Sequence, residues 1–278
     1  MSTEVIATII LLGSFFLLIF LGNHILFSIG ASTLLTVLYL GIPLQTVAQQ
    51  TVKGLNSFSL MAVPFFILAG EIMGAGGITR RLVKLADALV GWMRCGLGMV
   101  NIVASTFFGG ISGSPTADVS SIGAMLIPVM EDNGYDTEFS AAVTMASSVQ
   151  GLLIPPSHNM VIFAMAAGGV SVGQLFMGGL IPGLFLGLAL MIYCYIVARK
   201  KNYPVGDKFS LKRTLRATWE GIWGLGTVLI VVLGVVTGVF TATESAAIAC
   251  IYALIVTFAV YREIPLKEIL NIMRSSLK

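Results

Sequence analysis

Six apolar runs set what this chain can fold into: Val5–Leu21, Ile25–Leu40, Phe58–Met73, Leu175–Val197, Ile222–Phe240 and Ala246–Tyr261. Each is long enough to cross a bilayer as a helix, and lipid accepts only backbone whose hydrogen bonds are satisfied internally. The chain is 56% hydrophobic and 10% charged, whereas soluble domains are about 25% charged. The fold class is therefore an all-α polytopic membrane protein. Its start, Met-Ser-Thr-Glu, lacks the basic segment of a cleaved signal peptide, so the first span is expected to remain. Cys95, Cys194 and Cys250 lie far apart without metal-ligand spacing and read as small packing residues.

Two polar interruptions break this pattern. Residues 109–121 read Gly-Gly-Ile-Ser-Gly-Ser-Pro-Thr-Ala-Asp-Val-Ser-Ser, and residues 153–159 read Leu-Ile-Pro-Pro-Ser-His-Asn. Irregular backbone at membrane depth survives only where protein covers it or where it lines a wet cavity. Two successive breaks of this kind are expected at a mid-membrane site for an ion or small solute. Gly110 and Gly113 suit a tight apex, and Pro115 suits the first turn of a returning helix.

The basic residues test that reading. If 97–132 is a re-entrant hairpin and 133–173 a single broken crossing, fifteen of the sixteen fall on one side. They form clusters at 80–94, 199–216 and 262–278, and Lys53 alone lies opposite. The positive-inside rule then makes that side cytoplasmic and the N-terminus periplasmic. Were 97–132 one ordinary crossing, the first two clusters would lie on opposite sides. Residues 76–90 place Ile78, Leu82, Leu85 and Leu89 at helical spacing, predicting an amphipathic helix in the cytoplasmic interface, with Pro43–Gly54 a weaker outer counterpart. Trp92, Trp219 and Trp223 flank basic clusters as interface anchors.

The hairpin apex offers hydroxyls and carbonyls from Ser112, Gly113, Ser114 and Thr116, which can replace the water shell of Na⁺. The helix start after Ser114 suits an anion instead. Pro155 and Pro156 remove amide donors and free carbonyls about one turn earlier, near Gly151 and Leu152. A Na⁺ site is thus expected from Ser112, Gly113, Ser114, Gly151 and Pro155. Solute contacts are expected from Ser114, Thr116, Ser157, His158 and Asn159. A plain cap or proline kink is the alternative at each break. Asp118 reads as a first-turn acid complementing the helix dipole, and Glu71 as a surface cap or a partner of the following arginines. Glu244 reads as the far half of a capping box begun by Thr241. One catalytic alternative exists: Gly110-Ile-Ser-Gly113 with His158 matches the nucleophile and base of rhomboid-type intramembrane proteases. A rhomboid serine begins a helix that traverses, whereas the charge distribution requires this chain to turn back. With no Walker loop, H-E-x-x-H or paired catalytic carboxylates, no catalytic residues and no enzyme activity are expected.

The chain resembles the large membrane (permease) subunit of TRAP transporters, the tripartite ATP-independent periplasmic carriers. The resemblance rests on five ordered stretches: Pro64-Phe-Phe-Ile-Leu-Ala-Gly-Glu-Ile-Met73, Ile111-Ser-Gly-Ser-Pro-Thr-Ala117, Leu153-Ile-Pro-Pro-Ser157, Leu175-Phe-Met-Gly-Gly-Leu-Ile-Pro-Gly183 and Thr241-Ala-Thr-Glu-Ser-Ala-Ala247. It implies a Na⁺-coupled, elevator-type importer of an organic acid in the bacterial inner membrane. It further implies a small four-helix membrane subunit and a periplasmic solute-binding protein as partners, with membrane lipid around them and no nucleic acid. By position, the family's first Na⁺ half-site falls on Ser112, Gly113, Ser114 and 151–157.

The organisation this implies is 1–56 N-terminal scaffold spans, 57–96 third span and arm helix, 97–132 hairpin and 133–173 broken helix. Then follow 174–198 a span, 199–216 a basic cytoplasmic linker, and 217–278 two further spans. Two local departures stand out: Ala242 replaces the family's usual proline, altering a helix start, and His158-Asn159 replaces a more apolar pair, bearing on solute choice. The family carries two inverted repeats, and this chain shows one. A truncated product, an incomplete sequence or a separately encoded second half is expected, unable to transport alone. A stand-alone carboxylate carrier and a nonfunctional remnant are the competing readings.

Overall fold

A computed structural model describes residues 2–206 and 208–276. Asp207 of the basic linker, Leu277, and Lys278 of the basic count lie outside the described residues. The chain divides into two units, one through Ser57 and one from Phe58 onward.

The first unit holds α1 (Thr3–Phe20), α2 (Ile25–Tyr39) and α3 (Leu44–Leu55), with α1 packed on α2. Ser28, Ser32 and Thr36 form the buried stripe of α2, and each hydroxyl donates back to a carbonyl of its own helix or cap. Small side chains that satisfy themselves let apolar helices approach without stranding a polar group. The second apolar run forms a helix of fifteen residues that starts at Ile25 and stops at Tyr39, ahead of Gly41-Ile-Pro43.

The second unit continues with α4 (Ala62–Ala75), α5 (Ile78–Val90), α6 (Gly96–Ser112), α7 (Pro115–Asp118), a π-helical turn (Val119–Gly123) and α8 (Ala124–Asp132). Next come α9 (Thr137–Ser148), α10 (Gln150–Leu153), α11 (His158–Ala167), α12 (Val172–Lys201), α13 (Leu211–Val236), α14 (Ala242–Ile255) and α15 (Ile269–Ser276). Among the described residues five stretches are long and apolar enough to span a membrane: α1, Phe58–Ala75, α12, α13 and Ala242–Tyr261. The protein is an all-α polytopic membrane protein. Its principal core joins Phe66 and Ala69 of α4, Ala246 and Ala249 of α14, Val231 of α13 and Phe176 of α12. The three cysteines are free and buried.

The polar ends of this unit gather on one face. Arg213 pairs with Asp87, Lys201 with Asp136, and Arg81 Nη2 with Glu263 at 2.7 Å. The Lys201 ammonium and the Tyr203 hydroxyl both donate to Asp136 and hold its carboxyl below the usual range. The Cys95 amide donates to the Pro204 carbonyl, the Gly206 amide to the Met93 carbonyl, and Arg94 bridges antiparallel to Val205. The segment 96–132 therefore begins and ends beside residues 201–206.

The apolar face of the amphipathic α5 packs against protein: Ile78 and Leu82 meet Gly224 of α13, and Leu85 meets Gly221. Of the four predicted apolar positions only Leu89 is exposed, at 38%, because it sits in the last turn, beyond the reach of α13's glycines.

α14 opens on the capping box expected from its sequence. The Glu244 amide donates to Thr241 Oγ1 at 3.2 Å, and the Thr241 amide donates to Glu244 Oε2 at 2.8 Å. Thr241→Ala should cost about 1 kcal/mol of stability, read as a lowered midpoint in detergent-denaturant unfolding. An unchanged midpoint would show that tertiary packing alone fixes this helix start.

Candidate functional site

The hairpin apex is built by its own sequence. Gly113 ends α6 at φ +59°, a left-handed conformation that disfavours a Cβ, and its amide donates to Gly109. Ser114 caps α7, accepting from the Ala117 amide at 3.4 Å, with Pro115 at the first helical position. The Ser112 hydroxyl lies within 3.4 Å of both the amide and the carbonyl of Ser114, and Ser114 Oγ pairs with Thr116 Oγ1 at 2.9 Å.

The proline break is built as legibly. The last amide of its first half, Ile154, donates to Gln150 at 2.7 Å. Ile154 and Ser157 are extended and bracket a bend at Pro155–Pro156, whose peptide is cis, and Ser157 precedes α11. Glycines on α12 seat the break: a Cβ on Gly179 would lie 2.3 Å from the Leu153 carbonyl oxygen, and one on Gly183 would lie 2.6 Å from Ile154.

The apex and the break meet directly. A Cβ on Gly109 would fall 2.7 Å from Gly151 Cα, and one on Gly113 would fall 3.0 Å from the His158 amide and 3.1 Å from Ser157 Cα. Asn159 Nδ2 donates to the Gly113 carbonyl at 3.2 Å. Two buried polar atoms at this seam, Ser157 Oγ and His158 Nδ1, have no hydrogen-bond partner. Below it a polar ladder joins α6 to α9 and α10. Its rungs are Asn101 Nδ2 to Thr144 at 2.7 Å, Ser105 to Ser147 at 3.0 Å, and Thr106 to Gln150 Oε1 at 2.7 Å. Asp118, fully buried, has neither carboxylate oxygen bonded. It immediately precedes the π-helical turn, a distortion often found at functional sites.

A cavity of about 690 Å³ lies beside the apex. Ser112, Ser114, Thr116 and His158 line it, so these expected site residues share one space. The others take different places. Ser157 is buried beneath the surface, Asn159 spends its amide on Gly113, and Gly151 is packed on Gly109. The Pro155 carbonyl oxygen faces Gly110 of α6, 3.1 Å from where its Cβ would stand, and so approaches the hairpin below its tip. Ser112 Oγ has its recorded hydrogen bonds with Ser114 rather than with His158, which leaves the Ser112/His158 pair without a nucleophile–base contact.

Glu71 is exposed, as expected near the end of a span, and forms no ion pair with the following arginines among the described residues, since Arg81 pairs with Glu263; it also lines the cavity. Beside it, a Cβ on Gly70 would lie 3.2 Å from Ser112 Cα, so α4 approaches the apex closely there. The available signal was an ionisable residue inside an apolar run, which by itself marks a functional position. Ser120 also lines the cavity without having been expected there.

The family model of the tripartite ATP-independent periplasmic transporter, DctM component, matches residues 12–278. A protein called uncharacterized protein YgiK, from Salmonella typhimurium, is 41% identical over 97% of this chain and 62% of its own length. The isethionate TRAP transporter permease protein DctMQ of Oleidesulfovibrio alaskensis is 42% identical over 92% of this chain and 40% of its own. The C4-dicarboxylate TRAP transporter large permease protein DctM of Rhodobacter capsulatus is 36% identical over 97% of this chain and 64% of its own. The chain thus spans about two fifths to two thirds of the length of these relatives. With that family model matched over residues 12–278 and relatives 36–42% identical over nearly its whole length, the chain belongs to the DctM family of TRAP transporter large permease components.

Proposed function

We propose that this chain forms the first solute- and ion-binding region of a Na⁺-coupled importer of a small organic acid. The solute class is a dicarboxylate, sialic acid or sugar acid. The observation that carries the reading is the seating of the hairpin apex on the proline break, with unsatisfied polar atoms facing the seam. Hydroxyls of Ser112 and Ser114 and the carbonyl of Gly113 supply oxygen for a cation that has shed its water. Ser114, Thr116 and His158 on the cavity wall hold the solute's polar groups. The C4-dicarboxylate and isethionate named for two relatives are both small organic anions.

In this reading the basic face is cytoplasmic in the bacterial inner membrane and the N-terminus is periplasmic. A small four-helix membrane subunit and a periplasmic binding protein complete the system, and solute moves by an elevator displacement of the hairpin and the broken helix. Asp118 is held neutral or beside a cation, since a bare buried carboxylate is too costly in a dry site.

Na⁺ should raise the thermal midpoint of the purified protein above that in K⁺ or choline at equal ionic strength. The pair Ser112→Ala and Ser114→Ala should abolish that difference while leaving the midpoint in K⁺ within a few degrees. Equal midpoints in all three salts would refute the cation site. Gly109→Val should also remove the Na⁺ response, because its side chain must push Gly151 away. Retention of the full response would detach the apex–break contact from ion binding. Supplied with both partners and the remaining length of a full permease, uptake of labelled solute into proteoliposomes should require inward Na⁺. Uptake indifferent to Na⁺ would overturn the coupling.

A further inference from the structure

A second cavity, about 440 Å³, opens on the basic face between α5 and α13, remote in sequence from the apex and the break. One wall carries Arg80, Arg81 and Lys84, and the other carries Trp219, Glu220 and Trp223. Arg81 is already spent: it pairs with Glu263 and stacks 3.7 Å from the centre of the Tyr261 ring. Glu220 Oε1 accepts from Arg216 at 3.2 Å, and the Tyr261 hydroxyl donates to the Glu220 carbonyl at 2.6 Å, closing the cavity floor. Arg80 and Lys84 are exposed and have no ion-pair or hydrogen-bond partner among the described residues. Two uncompensated cations therefore face a pocket whose other charges are paired.

The surroundings identify the class of anion. Trp219 is 72% and Trp223 39% exposed, on a helix that spans the membrane. Exposed indoles at such a level belong to the headgroup boundary. From them an exposed apolar stripe, Ile222, Leu229 and Leu233, continues along the same face of α13. It offers a track for an acyl chain that begins at the cationic pocket. A phosphodiester with a hydroxylated headgroup matches each part: phosphate to Arg80 and Lys84, a hydroxyl to Glu220, and a chain along α13.

We infer that the groove between α5 and α13 is a binding site for an anionic glycerophospholipid of the phosphatidylglycerol type. Such a lipid clamps the amphipathic α5 to α13 from outside, as Gly221 and Gly224 allow from within.

Native mass spectrometry of the purified protein, titrated with phosphatidylglycerol or phosphatidylcholine, tests this. Retention of the anionic lipid should exceed that of the zwitterionic one by about ten-fold. The double variant Arg80→Gln/Lys84→Gln should lose that preference. The double variant Lys267→Gln/Arg274→Gln, outside the groove, should keep it. Trp219→Ala provides a second probe and should lower retention of phosphatidylglycerol several-fold. An unchanged preference in Arg80→Gln/Lys84→Gln, or unchanged retention in Trp219→Ala, overturns the assignment. So does binding of glycerol 1-phosphate as tight as the intact lipid, which would make this a soluble-phosphate site.

Discussion

Lipid offers no hydrogen-bond partner, and that constraint governs the part of this molecule that matters most. Two stretches of backbone leave helical geometry at the level of apolar spans, at 113–114 and 154–157. Each can exist only because the other covers it. Gly109 against Gly151, where a Cβ would stand 2.7 Å from main chain, and Gly113 against Ser157 and His158, at 3.0–3.1 Å, bring main chain close to main chain. Three further elements hold the pair in place. α12 seats the break on Gly179 and Gly183, α4 approaches the apex at Gly70, and the Asn101–Gln150 ladder ties the two halves together below. A void between these glycines would strand carbonyls in hydrocarbon, so here packing and polar satisfaction are one requirement.

The same constraint explains which parts of the fold could be read from residues alone. Spans, hairpin and break follow from apolar runs and turn chemistry, which act locally: Ser114-Pro115 starts a helix wherever it stands, and Thr241 with Glu244 caps one. The nearness of the basic clusters at 80–94 and 199–216 is consistent with their expected common side, since charge is excluded from the bilayer regardless of tertiary detail. What escaped were facts set by contact between distant segments. That Glu71 borders a cavity could not be read from its place near the end of an apolar run, because the cavity forms only where α4 approaches the apex. The partner of α5's apolar face was hidden too, because the periodicity is the same whether that face meets lipid or the glycines of α13.

The expected site residues divide along that line too. Ser112, Ser114, Thr116 and His158 belong to the segments that form the apex and the next helix start, and they reach one cavity. Ser157, Asn159, Gly151 and Pro155 sit on the same motifs but lie at the contact between the two breaks rather than on that cavity. Spacing along the chain does not distinguish a residue that supports a joint from one exposed by it. The unbonded oxygens of Asp118 were equally hidden, since nothing in Thr-Ala-Asp-Val announces burial.

The connection between α12 and α13 bears on how far these parts can travel. Residues 204–206 are stitched to 93–95, at the root of the hairpin, by two main-chain hydrogen bonds and the only β-bridge among the described residues. From Gly206 to the start of α13 at Leu211 there are five residue steps, a reach of about 17 Å when taut. The linker thus acts as a short rein. While the stitch holds, the root of the hairpin and the base of α13 can separate no further than that, whatever drives them apart.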